Sequence, residues 1–169
     1  QNRGRDMSAL DEQYIFVGRN VRMTEMSALL GRVQLSHLDE FLTRRREISS
    51  IYSSMLSDHP LITLLLPNEI QNSSYWKIPL ILDAEIDREK VTSLMSNFGI
   101  VVDWTYQPAL HLQPVFRELL GTTPGDLPVS ERILSRHLCL PCHPRMTDAD
   151  TSFVARTLLK IVDEISLNS

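Results

Sequence analysis

The chain has 169 residues, of which 43% are hydrophobic, enough for one ordinary core and too many for a disordered protein. Its formal net charge of −4 gives no electrostatic reason to bind nucleic acid. The longest apolar runs, such as residues 64–66, are far too short to cross a bilayer, and no signal-peptide pattern is visible. Two cysteines do not make a disulfide scaffold, which favours a reducing compartment.

The first third of the chain predicts an arm followed by a long helix. Residues 1–22 are polar, with four arginines and two glycines, and are expected to form a loop. Residues 23–58 carry apolar side chains at helical spacing, with Thr24 as the expected cap. Because globular helices usually run for roughly 8–20 residues, we expect a linking helix that bridges two bodies or crosses an interface. The arginines at 44–46 are expected on its solvated face.

Residues 59–169 predict a small α+β domain, with an antiparallel or mixed sheet covered by helices. The clearest strand is 75–82, where Trp76, Ile78, Leu80 and Leu82 share one face of the alternating pattern. Further strands are predicted at 61–66, 100–104 and 138–140. Helices are predicted after the Asp87 cap and up to Gly99, over 114–120 and 130–137, and from the capping box of Thr147 and Asp150 to the end.

Several blocks in the right order resemble one enzyme family. The stretch 18–26 reads GRNVRMTEM and is similar to the G-x-N-x-R-M-T-E motif of the DegT/StrS family of PLP-dependent sugar aminotransferases. Residues 106–114, YQPALHLQP, resemble that family's Y-x-P-L-H-x-Q-P segment. The blocks 23–35, 38–48, 74–76, 125–132 and 140–144 complete the likeness, which covers nearly the whole chain.

The resemblance implies the C-terminal part of a fold-type I aminotransferase, with a linking helix and a small domain. Such enzymes move an amino group from glutamate to a nucleotide-linked keto sugar, and PLP supplies the electronic chemistry. The chain has three lysines, and none stands at the family's Schiff-base position, which would precede residue 1. We therefore predict no catalytic residue in this chain and no activity from it alone. The parent protein is expected to be a cytoplasmic homodimer with an N-terminal cofactor domain. Its pathway is expected to make either a surface polysaccharide or a glycosylated small molecule.

The resemblance also assigns candidate binding residues. Asn20 corresponds to the asparagine that reaches the PLP phosphate of the partner subunit, the alternative being that it shapes a turn. Arg22 suits an anionic ligand through its forked donors, or pairs with Glu25 or Asp6. Tyr106 and His111 correspond to residues on the substrate side, with a structural role as the alternative for each.

Lys77 departs from the family pattern, in which a histidine often follows the aromatic residue at 76. An ammonium there suits a phosphate of the sugar nucleotide, and a solvated strand residue is the alternative. The difference is a reason not to infer this chain's sugar specificity from the family.

A second motif points elsewhere. Residues 139–143 read CLPCH, which fits covalent haem attachment, redox chemistry or, with His137, a zinc site. The family has an apolar strand at this point, and a buried cysteine serves well as a small hydrophobic residue. We predict no metal site. The other alternative to an enzyme fragment is a stand-alone interaction module that associates through the apolar stripe of its long helix.

Overall fold

The computed structural model describes residues 22–66, 73–104 and 107–167, and the chain divides into two compact units, 1–39 and 40–169. The described part of the first unit contains helix α1, Glu25–Ser36, which begins at the Thr24 cap: Thr24 Oγ1 accepts from the Ser27 amide at 3.2 Å. No residue of α1 is buried. Asn20 and Tyr106 lie outside the described residues.

The predicted long helix is two helices in the structure. After α1, helix α2 spans Leu38–Leu56, and the backbone between them turns at His37, whose φ and ψ are −103° and 3°. The His37 amide bonds the Gln34 carbonyl at 3.2 Å, so the last turn of α1 closes one residue tighter than an α-helix. The sequence pattern continues through this point because helical spacing of apolar residues does not register a single-residue interruption.

The second unit is built on a three-stranded antiparallel sheet in the order β1-β2-β3. Strand β1 is Ile62–Leu64, β2 is Ile78–Leu82 and β3 is His137–Leu140. The register places Leu80 of β2 between Leu64 and Leu138, so three leucines form a row across the sheet. The sheet is antiparallel, the first of the two arrangements predicted.

Two predicted strands differ from the structure. Trp76 was expected on the buried face with Ile78, but it is 67% exposed, because β2 begins only at Ile78 and Tyr75 has a φ of +45° that interrupts the extended backbone. The stretch 100–104 was predicted as a strand, yet within the described residues it forms a single bridge, Asp103 with Cys139, and Val101 is exposed between the buried Ile100 and Val102. It has no hydrogen-bonded ladder that would make it a strand.

Local signals located the remaining helices well. Helix α3, Arg88–Asn97, is capped by Asp87, and Gly99 follows it with a φ of +72°. Helix α4, Pro114–Leu120, ends at Gly121, which has the left-handed backbone that glycine tolerates. Helices α5, Pro128–Arg136, and α6, Asp148–Ser166, complete the unit, and α6 has the predicted capping box of Thr147 and Asp150.

The core lies between the sheet and helices α2, α3 and α6. Helix α6 buries a stripe of apolar residues at helical spacing, Val154, Leu158, Ile161 and Ile165. Arg44 corrects a prediction, because it is not simply solvated: Nε and Nη2 donate to the Met146 carbonyl at 3.0 and 2.8 Å, and Nη2 also reaches Asp148 at 2.7 Å. Arg44 thereby ties α2 to the start of α6. In the described part of the chain, no helix is both long and apolar enough to span a membrane.

Candidate functional site

Two of the predicted substrate residues, Lys77 and His111, lie in the second unit: Lys77 contacts Asp103, and His111 belongs to the stretch that follows Asp103 in the chain. We call residues 103–104 and 107–112 the site segment. Its first residue, Asp103, exchanges two backbone hydrogen bonds with Cys139 of β3, at 2.7 and 3.3 Å. The segment then passes through Trp104, Gln107 and a short 3₁₀ turn, Leu110–Leu112. Arg22 is exposed and belongs to the first unit.

Lys77 directly precedes the central strand β2 and is held by a carboxylate and an aromatic ring. Its Nζ lies 2.6 Å from Asp103 Oδ2 and 4.9 Å from the centre of the Trp76 ring. The Lys77 side chain is 22% exposed and lines, with Trp76, Tyr75 and Cys139, an open cavity of about 370 Å³. Lys77 is therefore oriented rather than freely solvated, and its ammonium stands beside a cavity with an aromatic wall.

His111 is buried and bound to a carboxylate. Its Nε2 lies 2.9 Å from Glu131 Oε1, on the first turns of α5. Glu131 also accepts from the amides of Gly125 at 2.9 Å and Leu127 at 3.3 Å. The hydrogen bond with His111, followed by these amides, lowers the pKa of Glu131. One imidazole nitrogen is thus committed to a structural contact, which joins the site segment to α5 and to the loop before it.

Glu131 gives a testable pH dependence. Its pKa is lowered in the folded state below the ordinary value of 4.5, so the unfolded state binds more protons between the two values. This contribution to stability is present above the ordinary carboxyl pKa and is lost as the pH falls through the folded value. We expect Glu131→Gln to flatten the rise in unfolding free energy over the acid range, measured by urea titration at several pH values.

Glu118→Gln, on the exposed part of α4, is the matched control for that measurement. If the unfolding free energy of Glu131→Gln falls as steeply with decreasing pH as that of the wild-type protein, the role given to this carboxylate is wrong.

Arg88 and Glu131 were missed by the sequence reasoning. Arg88 is the first residue of α3, and its guanidinium is buried with Cζ 4.6 Å from the centre of the Trp104 ring. No local sequence pattern predicts a buried arginine at a helix start, because the contacts of the Arg88 guanidinium come from elements distant in the sequence. For Glu131 the available signal is an acidic residue in the first turn of a helix that starts with proline.

The cysteine motif lacks the features of a reactive site. Both thiols are free and buried, with Cys139 in β3 and Cys142 beyond its end. Burial raises the pKa of Cys139, and it raises that of Cys142 to about 11. This is opposite to the lowered pKa of a redox or nucleophilic cysteine. Across the three described ranges, no group of three histidine, cysteine or acidic side chains is placed to hold a metal.

The chain belongs to the DegT/DnrJ/EryC1/StrS aminotransferase family, which it matches over residues 1–159. It is 37% identical over 150 residues to dTDP-4-dehydro-2,3,6-trideoxy-D-glucose 4-aminotransferase of Saccharopolyspora spinosa, covering 87% of this chain and 37% of that protein. It is 27% identical to dTDP-4-amino-4,6-dideoxy-D-glucose transaminase of Escherichia coli, covering 84% and 39%. The crystal structure of the aminotransferase TlmJ from Streptoalloteichus hindustanus matches with a TM-score of 0.77 at 28% identity, over 96% of this chain and 42% of that one.

These similarities confirm the family that the sequence blocks indicated, and the family is PLP-dependent. The α+β architecture with a small antiparallel sheet also agrees with the prediction. The chain spans 37% to 42% of the length of these three relatives.

Proposed function

We propose that this chain is the C-terminal part of a fold-type I, PLP-dependent aminotransferase that moves an amino group from glutamate to a nucleotide-linked keto sugar. The observation that carries the proposal is the family match over residues 1–159, combined with coverage of only 37% to 42% of the relatives. The whole enzyme is a cytoplasmic homodimer in this proposal, and residues 1–22 form the arm that contacts the partner subunit.

The lysines of this chain bear on how the cofactor is held. Lys77 pairs with Asp103, Lys90 is exposed on α3, and Lys160 is exposed with Nζ 3.8 Å from Glu164. None lies in a closed pocket suited to a covalent attachment of PLP. In the proposal, the Schiff-base lysine comes from an N-terminal domain outside this chain. This chain by itself is therefore inactive. When bound, PLP supplies the electron sink for the transfer.

Asn20 is the residue of this chain that we assign to the cofactor. Its side-chain amide donates a hydrogen bond to a phosphate oxygen of PLP bound to the partner subunit. The support is the motif of residues 18–26, which leads into the capped start of α1. Arg22, two residues later and exposed, adds a positive charge for an anionic ligand at the same helix start.

Asn20→Ala in the full-length protein tests this assignment. A neutral donor to a charged phosphate contributes about 1.5–3 kcal/mol, so we expect PLP affinity to fall by roughly tenfold to a hundredfold. The measurement is PLP retained after exhaustive dialysis, with the exposed Asn97→Ala on α3 as control. Retention equal to that of the unchanged protein would remove Asn20 from the cofactor site.

The substrate side is assigned to Lys77, Tyr106 and His111. Lys77 meets a phosphate of the sugar nucleotide, supported by its oriented ammonium beside an open cavity. His111 shapes this side through its contact with Glu131, and Tyr106 is assigned by resemblance alone. The sugar and the position of its keto group depend on residues beyond this chain.

One observation supports a second candidate function, that of an interaction module without catalytic activity. Helix α1 exposes Met26, Leu29, Leu30 and Val33. A contiguous apolar face of this kind is normally covered by another surface. In the first proposal the partner subunit or the cofactor domain covers it. Self-association of a protein that retains no PLP would favour the module, whereas amino transfer after addition of the N-terminal domain would favour the enzyme.

A further inference from the structure

Arg88 is a buried cation without a carboxylate hydrogen-bond partner among the described residues. The residue is 6% exposed, and burial lowers its pKa. Nη1 donates to the Leu134 carbonyl at 2.8 Å and Nη2 donates to Gln107 Oε1, while Nε is buried without an acceptor. The neighbouring Asp87 carboxylate accepts from backbone amides of α3 instead. A well-packed apolar side chain at such a position is often as stable as a buried charge, so stability alone gives a weak reason for an arginine here.

The partners of Arg88 show what the guanidinium does. Trp104 stacks on it, with Cζ 4.6 Å from the ring centre, and Gln107 accepts its hydrogen bond. These two residues flank positions 105 and 106 in the sequence. The third partner, the Leu134 carbonyl, belongs to the end of α5. A planar guanidinium can stack and bridge at once, which the compact ammonium of a lysine cannot do.

Helix α5 holds the site segment at two points. Arg88 links the Leu134 carbonyl to Trp104 and Gln107, and Glu131 binds His111 directly at 2.9 Å. The start of the segment is tied to β3 through Asp103, which also holds Lys77. His111, and the carboxylate of Asp103 that holds Lys77, therefore belong to a segment in which Trp104 and Gln107 are bound by Arg88.

We propose that Arg88 is a positioning residue for the sugar-nucleotide half of the reaction, acting by fixing Trp104 and Gln107 against α3 and α5. This inference rests on the proposed function. Arg88 does not itself meet the substrate, because its guanidinium is buried and its Nη atoms are occupied. Small displacements of a binding segment reduce rates strongly, even when the displaced groups are remote from the reacting atoms.

The test uses the full-length aminotransferase with Arg88→Met, Arg88→Lys and the control Lys90→Met, an exposed position on the same helix. The glutamate and keto-sugar half-reactions are measured separately. We expect Arg88→Met to lower kcat/KM for the nucleotide-linked keto sugar by roughly tenfold to a hundredfold, mainly through KM. The glutamate half-reaction should change little, because the small donor does not extend to the nucleotide side. Arg88→Lys should recover part of the loss.

Amide hydrogen exchange gives a readout that needs no activity. The amides of Leu112 and Gln113 bond the carbonyls of Ala109 and Leu110 at 2.8 and 3.1 Å, and we expect both to exchange faster in Arg88→Met. Equal losses in the two half-reactions, or no loss, would overturn the positioning role. If the wild-type full-length protein transfers no amino group, the proposed function is wrong. The hydrogen-exchange rates alone then show whether Arg88 holds the site segment.

Discussion

Replacing Lys77 by methionine is expected to weaken binding of the nucleotide-linked keto sugar by roughly tenfold to a hundredfold. A hydrogen bond between an ammonium and a phosphate contributes about 1.5–3 kcal/mol, and each 1.4 kcal/mol is tenfold in affinity. The ammonium lies 4.9 Å from the centre of the Trp76 ring, beside the cavity, and Asp103 at 2.6 Å is the carboxylate with which a phosphate would share it. Titration of the PLP-loaded full-length protein with the nucleotide alone measures the effect.

Asp103→Asn is the informative companion to Lys77→Met. It removes the carboxylate that competes for the ammonium, and it also removes a negative charge close to the expected phosphate. We therefore expect affinity for the nucleotide to be maintained or increased. If Lys77→Met lowers only the stability of the protein and leaves nucleotide binding unchanged, Lys77 has a structural role at the start of β2 and the substrate assignment is wrong.

Replacing Leu80 by alanine is expected to lower the free energy of unfolding by about 3–4 kcal/mol. Leu80 is fully buried in the central strand and lies between Leu64 and Leu138 in the row across the sheet. Removing three carbons there leaves a cavity in the middle of the core, and the paired strands on both sides limit collapse around it. Urea unfolding measures the loss.

Ile81→Ala is the matched control, because Ile81 is the next residue of β2, points to the other face of the sheet and is only partly buried. We expect a clearly smaller loss of stability from this variant. Equal losses from the two variants would contradict the conclusion that the main core lies on the face of Ile78, Leu80 and Leu82.

The parts of the fold that were predictable from sequence depend on neighbouring residues. The Asp87 cap, the glycines at 99 and 121 and the capping box before α6 each act within one turn of the backbone. At these positions a local hydrogen bond favours a capping side chain, or a positive φ favours glycine. The alternation in β2 and the stripe of α6 likewise identify the buried faces, since helices and strands repeat with different periods.

The remaining features depend on contacts between distant residues. The turn at His37 and the exposure of Trp76 interrupt patterns that otherwise continue, and Asp103 forms a bridge with Cys139 instead of a strand. Arg88 and Glu131 have their roles only because α3, α5 and the site segment come together. The family resemblance named His111, and a departure from the family pattern named Lys77, as candidate substrate residues, and these assignments stay predictions. The groups that bind their side chains, Asp103 and Glu131, are visible only in the structure.

The amino-transfer half-reactions of the full-length protein test the central claim most directly. We expect PLP to remain bound through purification, its visible absorbance to be lost when glutamate is added, and that absorbance to return when a nucleotide-linked keto sugar follows. A full-length protein that retains no PLP, or whose bound PLP does not respond to glutamate, would contradict the assignment of this chain to an active sugar aminotransferase.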